Sequence, residues 1–303
     1  VDPASYRVGP GDVLQLSISG PLTRDVLLTV GQSLPTITID VGSGTQTQTQ
    51  AGYPTLSGTF SVAKIGAGTL VLDQVNTLEG SMTVRAGVVR LASDSALSSS
   101  TLAVLAGGTA QAAPFLIPGV GGLDLSGAGL VDLANGGLLI KAGMSPVQLE
   151  AQILVGRNGG TWDGASGITS SVTAAQVAAS ELRAVGWLDN GDGSLTVAYA
   201  AQGDTNLDWT IDVLDVANFV GSGKYGTGVV ATWSEGDFNY DGVVDVQDIA
   251  DFSASGLYGM ANYNQPPGAA GGIAAVPEPA SWELLAAASG SLAIGCLRRR
   301  SSI

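Results

Sequence analysis

Between about Leu56 and Trp162 short apolar stretches alternate with glycine-containing turns: Thr69-Leu70-Val71-Leu72, Met82-Thr83-Val84, Val88-Val89-Arg90-Leu91, Leu123-Asp124-Leu125 and Leu138-Leu139-Ile140. Each reads as a short strand, followed too closely by the next for crossover helices. Runs such as Leu70-Val71-Leu72 argue mildly against a β-sandwich, which wants stricter alternation and stands as the alternative. The pattern predicts a mainly β chain with a parallel β-helix, or solenoid, over residues 42–170. Each strand stacks on its copy one turn later, and Leu70, Leu72, Val84, Leu91, Leu123, Leu125, Leu138 and Ile140 fill one continuous core.

The flanks pattern differently. Residues 1–41 form an N-terminal β segment with the alternating strand Leu14-Gln15-Leu16-Ser17-Ile18. The low-complexity run Gly42–Gln50 is either a linker or a polar edge strand, and marks a boundary. Over residues 171–202, Thr173–Glu181 has helical propensity. Leu182–Trp187 and Ser194–Tyr199 flank the turn Asp189-Asn190-Gly191-Asp192-Gly193, so a helix and a closing hairpin cap the solenoid. Residues 203–258 carry two helix-period segments, Val213–Val220 and Val246–Phe252. Residues 259–275, rich in Gly, Ala, Pro and Asn, read as a linker.

Part of this pattern has a family likeness. Lys64-Ile65-Gly66-Ala67-Gly68-Thr69-Leu70-Val71-Leu72, then Asn76-Thr77-Leu78-Glu79-Gly80, then Thr83–Leu91 resembles the autotransporter-associated β-strand repeat. The resemblance implies a right-handed parallel β-helix in which Gly supplies the positive-φ corners. At the start, Tyr6-Arg7-Val8-Gly9-Pro10-Gly11-Asp12-Val13-Leu14 resembles the opening signature of polysaccharide-export outer-membrane proteins, although Gly-Pro-Gly-Asp is also an ordinary turn before a strand.

Composition narrows the chemistry. The 303-residue chain is 45% hydrophobic and 13% charged, with a mean hydropathy of +0.31, enough apolar material to exclude disorder. It contains no His and a single Cys, Cys296, so Ser-His-Asp and Cys-His nucleophiles, and His- or Cys-ligated zinc or haem, cannot be built. Only carboxylate chemistry remains. The net charge of −14 is uneven: between Gly203 and Tyr258 ten acids face one base, Lys224, giving 1 − 10 = −9. Such a field draws cations and repels nucleic acid.

The acids resolve into two copies of one pattern, Gly203–Asp215 and Gly236–Asp248, offset by 33 residues throughout. Side-chain oxygens fall at loop positions 1, 3, 5, 9 and 12, with a backbone carbonyl at 7, the way a twelve-residue loop wraps a hard cation with oxygen ligands. The candidate ligands are Asp204, Asn206, Asp208, Thr210, Asp212 and Asp215, then Asp237, Asn239, Asp241, Val243, Asp245 and Asp248. Position 6 calls for a left-handed turn, which Gly242 supplies and Trp209 makes at about 1 kcal/mol, so the second Ca²⁺ site is expected to be the tighter. A duplicated loop with an exiting helix and Asp at position 12 resembles the type I dockerin module. That resemblance implies two Ca²⁺ sites in a small α-helical module with EF-hand loops. Its helix faces dock a cohesin-like partner, while Val213-Leu214 and Val246-Gln247 are apolar enough for a partner or for the chain's own solenoid.

Residues 276–303 place Pro277-Glu278-Pro279 before the apolar run Trp282–Leu297 and then Arg298-Arg299-Arg300. This order resembles the PEP-CTERM sorting signal. It implies a short transmembrane sorting helix over 282–297 in the inner membrane, basic end in the cytoplasm, processing by an exosortase-type enzyme near the Pro-Glu-Pro motif, and export to the envelope or cell surface. Two functions follow: an anchored structural or adhesive β-helix presenting a calcium-stabilised module, or a component, catalytic or not, of an extracellular polysaccharide-degrading or polysaccharide-export system. The solenoid acids Asp73, Glu79, Asp94, Asp124, Asp132, Glu150 and Asp163 form no near pair beside a substrate platform, and glycoside hydrolysis needs carboxyls about 5 to 9.5 Å apart. The structural reading is therefore preferred, with no catalytic residue assigned.

Overall fold

The computed structural model describes residues 36–53 and 55–266, together with the backbone of strands β1 (Val13–Ile18) and β2 (Arg24–Thr29), which pair antiparallel. Two compact units divide the chain, Val1–Asn264 and Gln265–Ile303; of the second only Gln265 and Pro266 are described. The sorting motif, the apolar run and the terminal arginines lie outside the described residues.

The first unit contains a parallel β-solenoid of about 5 turns. One sheet stacks β4 (Thr45–Thr47), β7 (Thr69–Leu72), β10 (Gly87–Leu91), β12 (Gly108–Ala112), β14 (Leu130–Asp132) and β16 (Gly167–Thr169). The other stacks β3 (Thr36–Asp40), β6 (Ser61–Ile65), β9 (Met82–Val84), β11 (Leu97–Val104), β13 (Gly119–Asp124) and β15 (Gly137–Ile140). A short third face pairs β5 (Ser57–Gly58) with β8 (Thr77–Leu78). All of these pairings are parallel. The Gly42–Gln50 run thus contains an edge strand, the second of its two readings, and the first turn begins at β3, a few residues ahead of position 42.

The registers put like residues in columns: Leu72 beside Leu91, and Val89 between Leu70 and Ala110. All eight residues expected in the core are buried and belong to one cluster. Each such Leu, Ile or Val contributes about 1.5–3 kcal/mol by leaving water, which is how strands of three or four residues persist. Polar columns stack as well. Arg90 Nε donates to Gln111 Oε1 at 2.7 Å and Gln111 Nε2 to Asp132 Oδ2 at 2.9 Å, each step 21 residues long. Lys64 is fully buried, its ammonium donating to the carbonyls of Gly66 at 2.6 Å and Ala86 at 2.8 Å, and burial holds its pKa below the ordinary lysine value.

One helix interrupts the last turn. α1 (Pro146–Arg157) lies between β15 and β16, capped by Ser145 with a reciprocal contact from Gln148 and with Pro at its first turn. The signal Ser-Pro-x-Gln was present in the sequence, but the strand texture around it obscured it. α2 (Ser171–Ala178) matches the expected capping helix within a few residues. The closing hairpin is β17 (Ala184–Asp189) with β18 (Leu195–Ala200), and β18 pairs antiparallel with β15. This ends the parallel stacking. Asp189 and Asp192 accept backbone N–H groups within the hairpin turn, as its turn reading requires.

Candidate metal centre

The acidic repeat folds as two loops, each running into a helix: α3 (Val213–Gly221) and α4 (Val246–Ser255). Position 9 of each loop, Asp212 or Asp245, is the helix N-cap with the same backbone angles, φ −138° and ψ −162°. Position 12 closes each capping box: Asp212 N donates to Asp215 Oδ2 at 2.8 Å and Asp245 N to Asp248 Oδ2 at 2.9 Å. The other oxygen of the same carboxylate accepts Thr205 N at 2.8 Å or Phe238 N at 2.9 Å, fastening the loop's start to its end. Only a single 3₁₀ turn, Trp233–Glu235, precedes the second loop, so no full entering helix is present there.

The copies are related crosswise. A Cβ on Gly203 would fall 2.3 Å from Phe252 Cδ2 on α4, and one on Gly236 would fall 2.4 Å from Phe219 Cδ2 on α3, so each loop opens beneath the other copy's helix. Ile211 O accepts Gly259 N, and its counterpart Val244 O accepts Gly226 N, both at 2.8 Å. Each loop is therefore fixed by the segment after the opposite helix. Position 6 makes the left-handed turn in both copies, Gly242 at φ 89° and Trp209 at φ 66°. Trp209 spends its indole on the solenoid, Nε1 donating to Tyr199 O at 3.0 Å.

Electrostatics single out position 1. Asp204 is 0% exposed, and its Oδ1 has no hydrogen-bond partner. Burial, with the charges of Asp215 and Asp208 beside it and a Tyr263 hydrogen bond opposing, raises its pKa to about 7. Asp237, also buried, is raised to about 6 by burial, with Asp248 and Asp241 adding to the shift. Burial likewise raises Asp215 and Asp248. Acids crowded this way are relieved either by protons or by a cation. The donor set of carboxylates, amides and carbonyls is the hard oxygen kind that suits Ca²⁺, and an unpartnered buried carboxylate oxygen fits an ion ligand. Among the described residues no group of three or more acidic side chains is drawn together as a ready-made metal cage. Much of the hydrogen bonding to these acids comes from the loop backbone, as where Thr210 N donates to Asp208 Oδ1 and Val243 N to Asp241 Oδ1.

Several aromatic residues that the sequence did not single out join the loops to the solenoid. Trp233 is fully buried, donates to Asp204 O at 2.7 Å and packs on Phe238 and Tyr240. The Tyr240 hydroxyl donates to Val185 O on β17 while its ring meets Trp162 edge-on. The beginning of the expected linker is packed too: Asn264 Nδ2 donates to Asn135 O at 2.7 Å. By contrast Val213, Leu214 and Val246 are 65%, 58% and 71% exposed. A mainly apolar cleft of about 140 Å³ between α3 and α4 is lined by Val216, Phe219, Val220, Ile249 and Phe252. No described helix is long and apolar enough to cross a membrane. No protein-family model, curated protein or solved structure matches the chain.

Proposed function

We propose that this protein is an exported structural or adhesive β-solenoid whose C-terminal end is braced by two calcium loops. The observation that carries this reading is the crossed pair of acidic loops seated on the closing hairpin, with the buried Asp204 leaving one oxygen unpartnered. Ca²⁺ at each loop would be held by the oxygens at positions 1, 3, 5, 7, 9 and 12, and would neutralise carboxylates that otherwise repel one another. The aromatic contacts favour the solenoid itself as the partner of the loops. The exposed Val213, Leu214 and Val246 are where a cohesin-like protein would dock, in keeping with the dockerin resemblance.

The parallel strands suit the right-handed coil of the autotransporter-associated repeat. Residues 276–303 are proposed to direct the chain to the inner membrane and then, after exosortase-type cleavage, to the surface, where extracellular polysaccharide is a further partner class. The reading includes no catalysis, and reducing-sugar release from mixed polysaccharides should match a blank. Protease shaving of intact host cells tests the whole. Recovery of solenoid peptides from the surface, on protein lacking its Ile303 terminus, supports it; a cytoplasmic protein retaining Ile303 overturns it.

A further inference from the structure

The first loop has an anchor that the second lacks. In the second, both oxygens of Asp237 are engaged by the loop itself, Oδ1 by Asp241 N at 3.2 Å and Oδ2 by Gly242 N at 2.9 Å. In the first, Oδ2 of Asp204 accepts Trp209 N at 3.0 Å and the hydroxyl of Tyr263, 59 residues downstream, while Oδ1 remains without a partner. Tyr263 is itself held firmly. Its hydroxyl accepts Ala201 N at 3.0 Å, its own N–H donates to Trp209 O at 2.9 Å, and its ring lies 6.1 Å from that of Tyr199 and 5.7 Å from the Arg183 guanidinium. The residue one repeat earlier, 33 positions back, is Val230, which has no hydroxyl.

We propose that Tyr263 is a positioning residue for a cation in the first loop: by holding Oδ2 it leaves Oδ1 of Asp204 as the oxygen presented to the ion. It also ties that seat to the end of β18 through Ala201, so occupancy of the first loop and seating of the loops on the solenoid are coupled. The inference rests on reading the loops as calcium sites. Groups that hydrogen-bond to a metal ligand from behind typically set affinity by about 10- to 100-fold.

The test is calorimetric Ca²⁺ titration of the full chain and of Tyr263→Phe, which keeps the ring against Tyr199 and Arg183 and removes only the hydroxyl. One of two sites should weaken by about tenfold or more while the other is unchanged. In an Asp237→Ala background, which removes the second site, the surviving site should be the one that weakens. A hydroxyl with a merely structural role would lower the ion-free melting temperature and leave both affinities as they were; that result, or a tighter first site, overturns the proposal. If the unaltered chain binds no calcium, the reading of the loops fails and this inference with it. If the unaltered chain binds two ions and Tyr263→Phe binds them equally well, only this inference fails.

Discussion

Without a cation the loops should make the protein more stable in mild acid than at neutral pH, and calcium should reverse that order. Asp204, raised from 3.8 to about 7, holds a proton in the folded chain over a range where the unfolded chain has released it. Its contribution to stability is complete below about pH 4 and is lost as the pH rises through 7, because the folded state is then the one that binds more protons. The span between those two values, at about 1.36 kcal/mol per pH unit, corresponds to roughly 4 kcal/mol from Asp204 alone. Asp237, raised to about 6, acts in the same direction. For a chain of this size the Asp204 contribution alone is a fall in melting temperature of about 6 °C. Bound calcium favours the ionised carboxylates and adds about 2.7 kcal/mol per site at a hundredfold excess over Kd, so protons then compete with the ion and acid destabilises. Scanning calorimetry of the full chain across about pH 4 to 7, in chelator and in millimolar calcium, reads both slopes. Parallel slopes in the two series, or a melting temperature in chelator that rises towards neutral pH, would refute the reasoning.

Leu72→Asp should cost about 4 kcal/mol or more, since Leu72 is 1% exposed beside Leu91 and an unpaired buried charge is among the most damaging single changes; an unchanged denaturation midpoint would put Leu72 on the surface. Gly203→Ala and Gly236→Ala should each cost about 1–3 kcal/mol, because both sites have φ above +100° and face a phenylalanine ring of the opposite copy. Chemical denaturation showing either substitution to be neutral would dissolve the crossed packing. Replacing Arg298, Arg299 and Arg300 with Ser should misorient or release the tail, because cytoplasmic positive charge sets topology; cell fractionation reads this, and unchanged envelope targeting and processing would count against the sorting reading.

The solenoid was legible because its strands are short and their apolar runs consecutive. With no room for crossovers, stacking one turn later was the arrangement the pattern favoured, and the eight core positions followed. The two loop-exiting helices were legible for a local reason: Val213–Val220 and Val246–Phe252 carry the helix period, and the structure adds that Asp212 with Asp215, and Asp245 with Asp248, close capping boxes at their starts. What the sequence withheld depends on contacts between distant segments. Nothing near Tyr263 marks it as the partner of Asp204, and nothing near Trp233 shows that its indole reaches the backbone of the other loop. The polar column of Arg90, Gln111 and Asp132 appears only once the turn length of about 21 residues is fixed. Trp209 is the instructive case. Its identity argued against a left-handed turn, yet the turn forms, because the indole finds an acceptor on Tyr199 that the local sequence does not reveal.

Whether the acidic loops hold calcium is read by calorimetric titration of the full chain at neutral pH, followed by circular dichroism of the same samples. Two binding events are expected, both lost on adding chelator, with the titrated chain more helical than the ion-free one. No heat and no spectral change at millimolar calcium would contradict the calcium reading and leave the buried carboxylates to be relieved by protons alone.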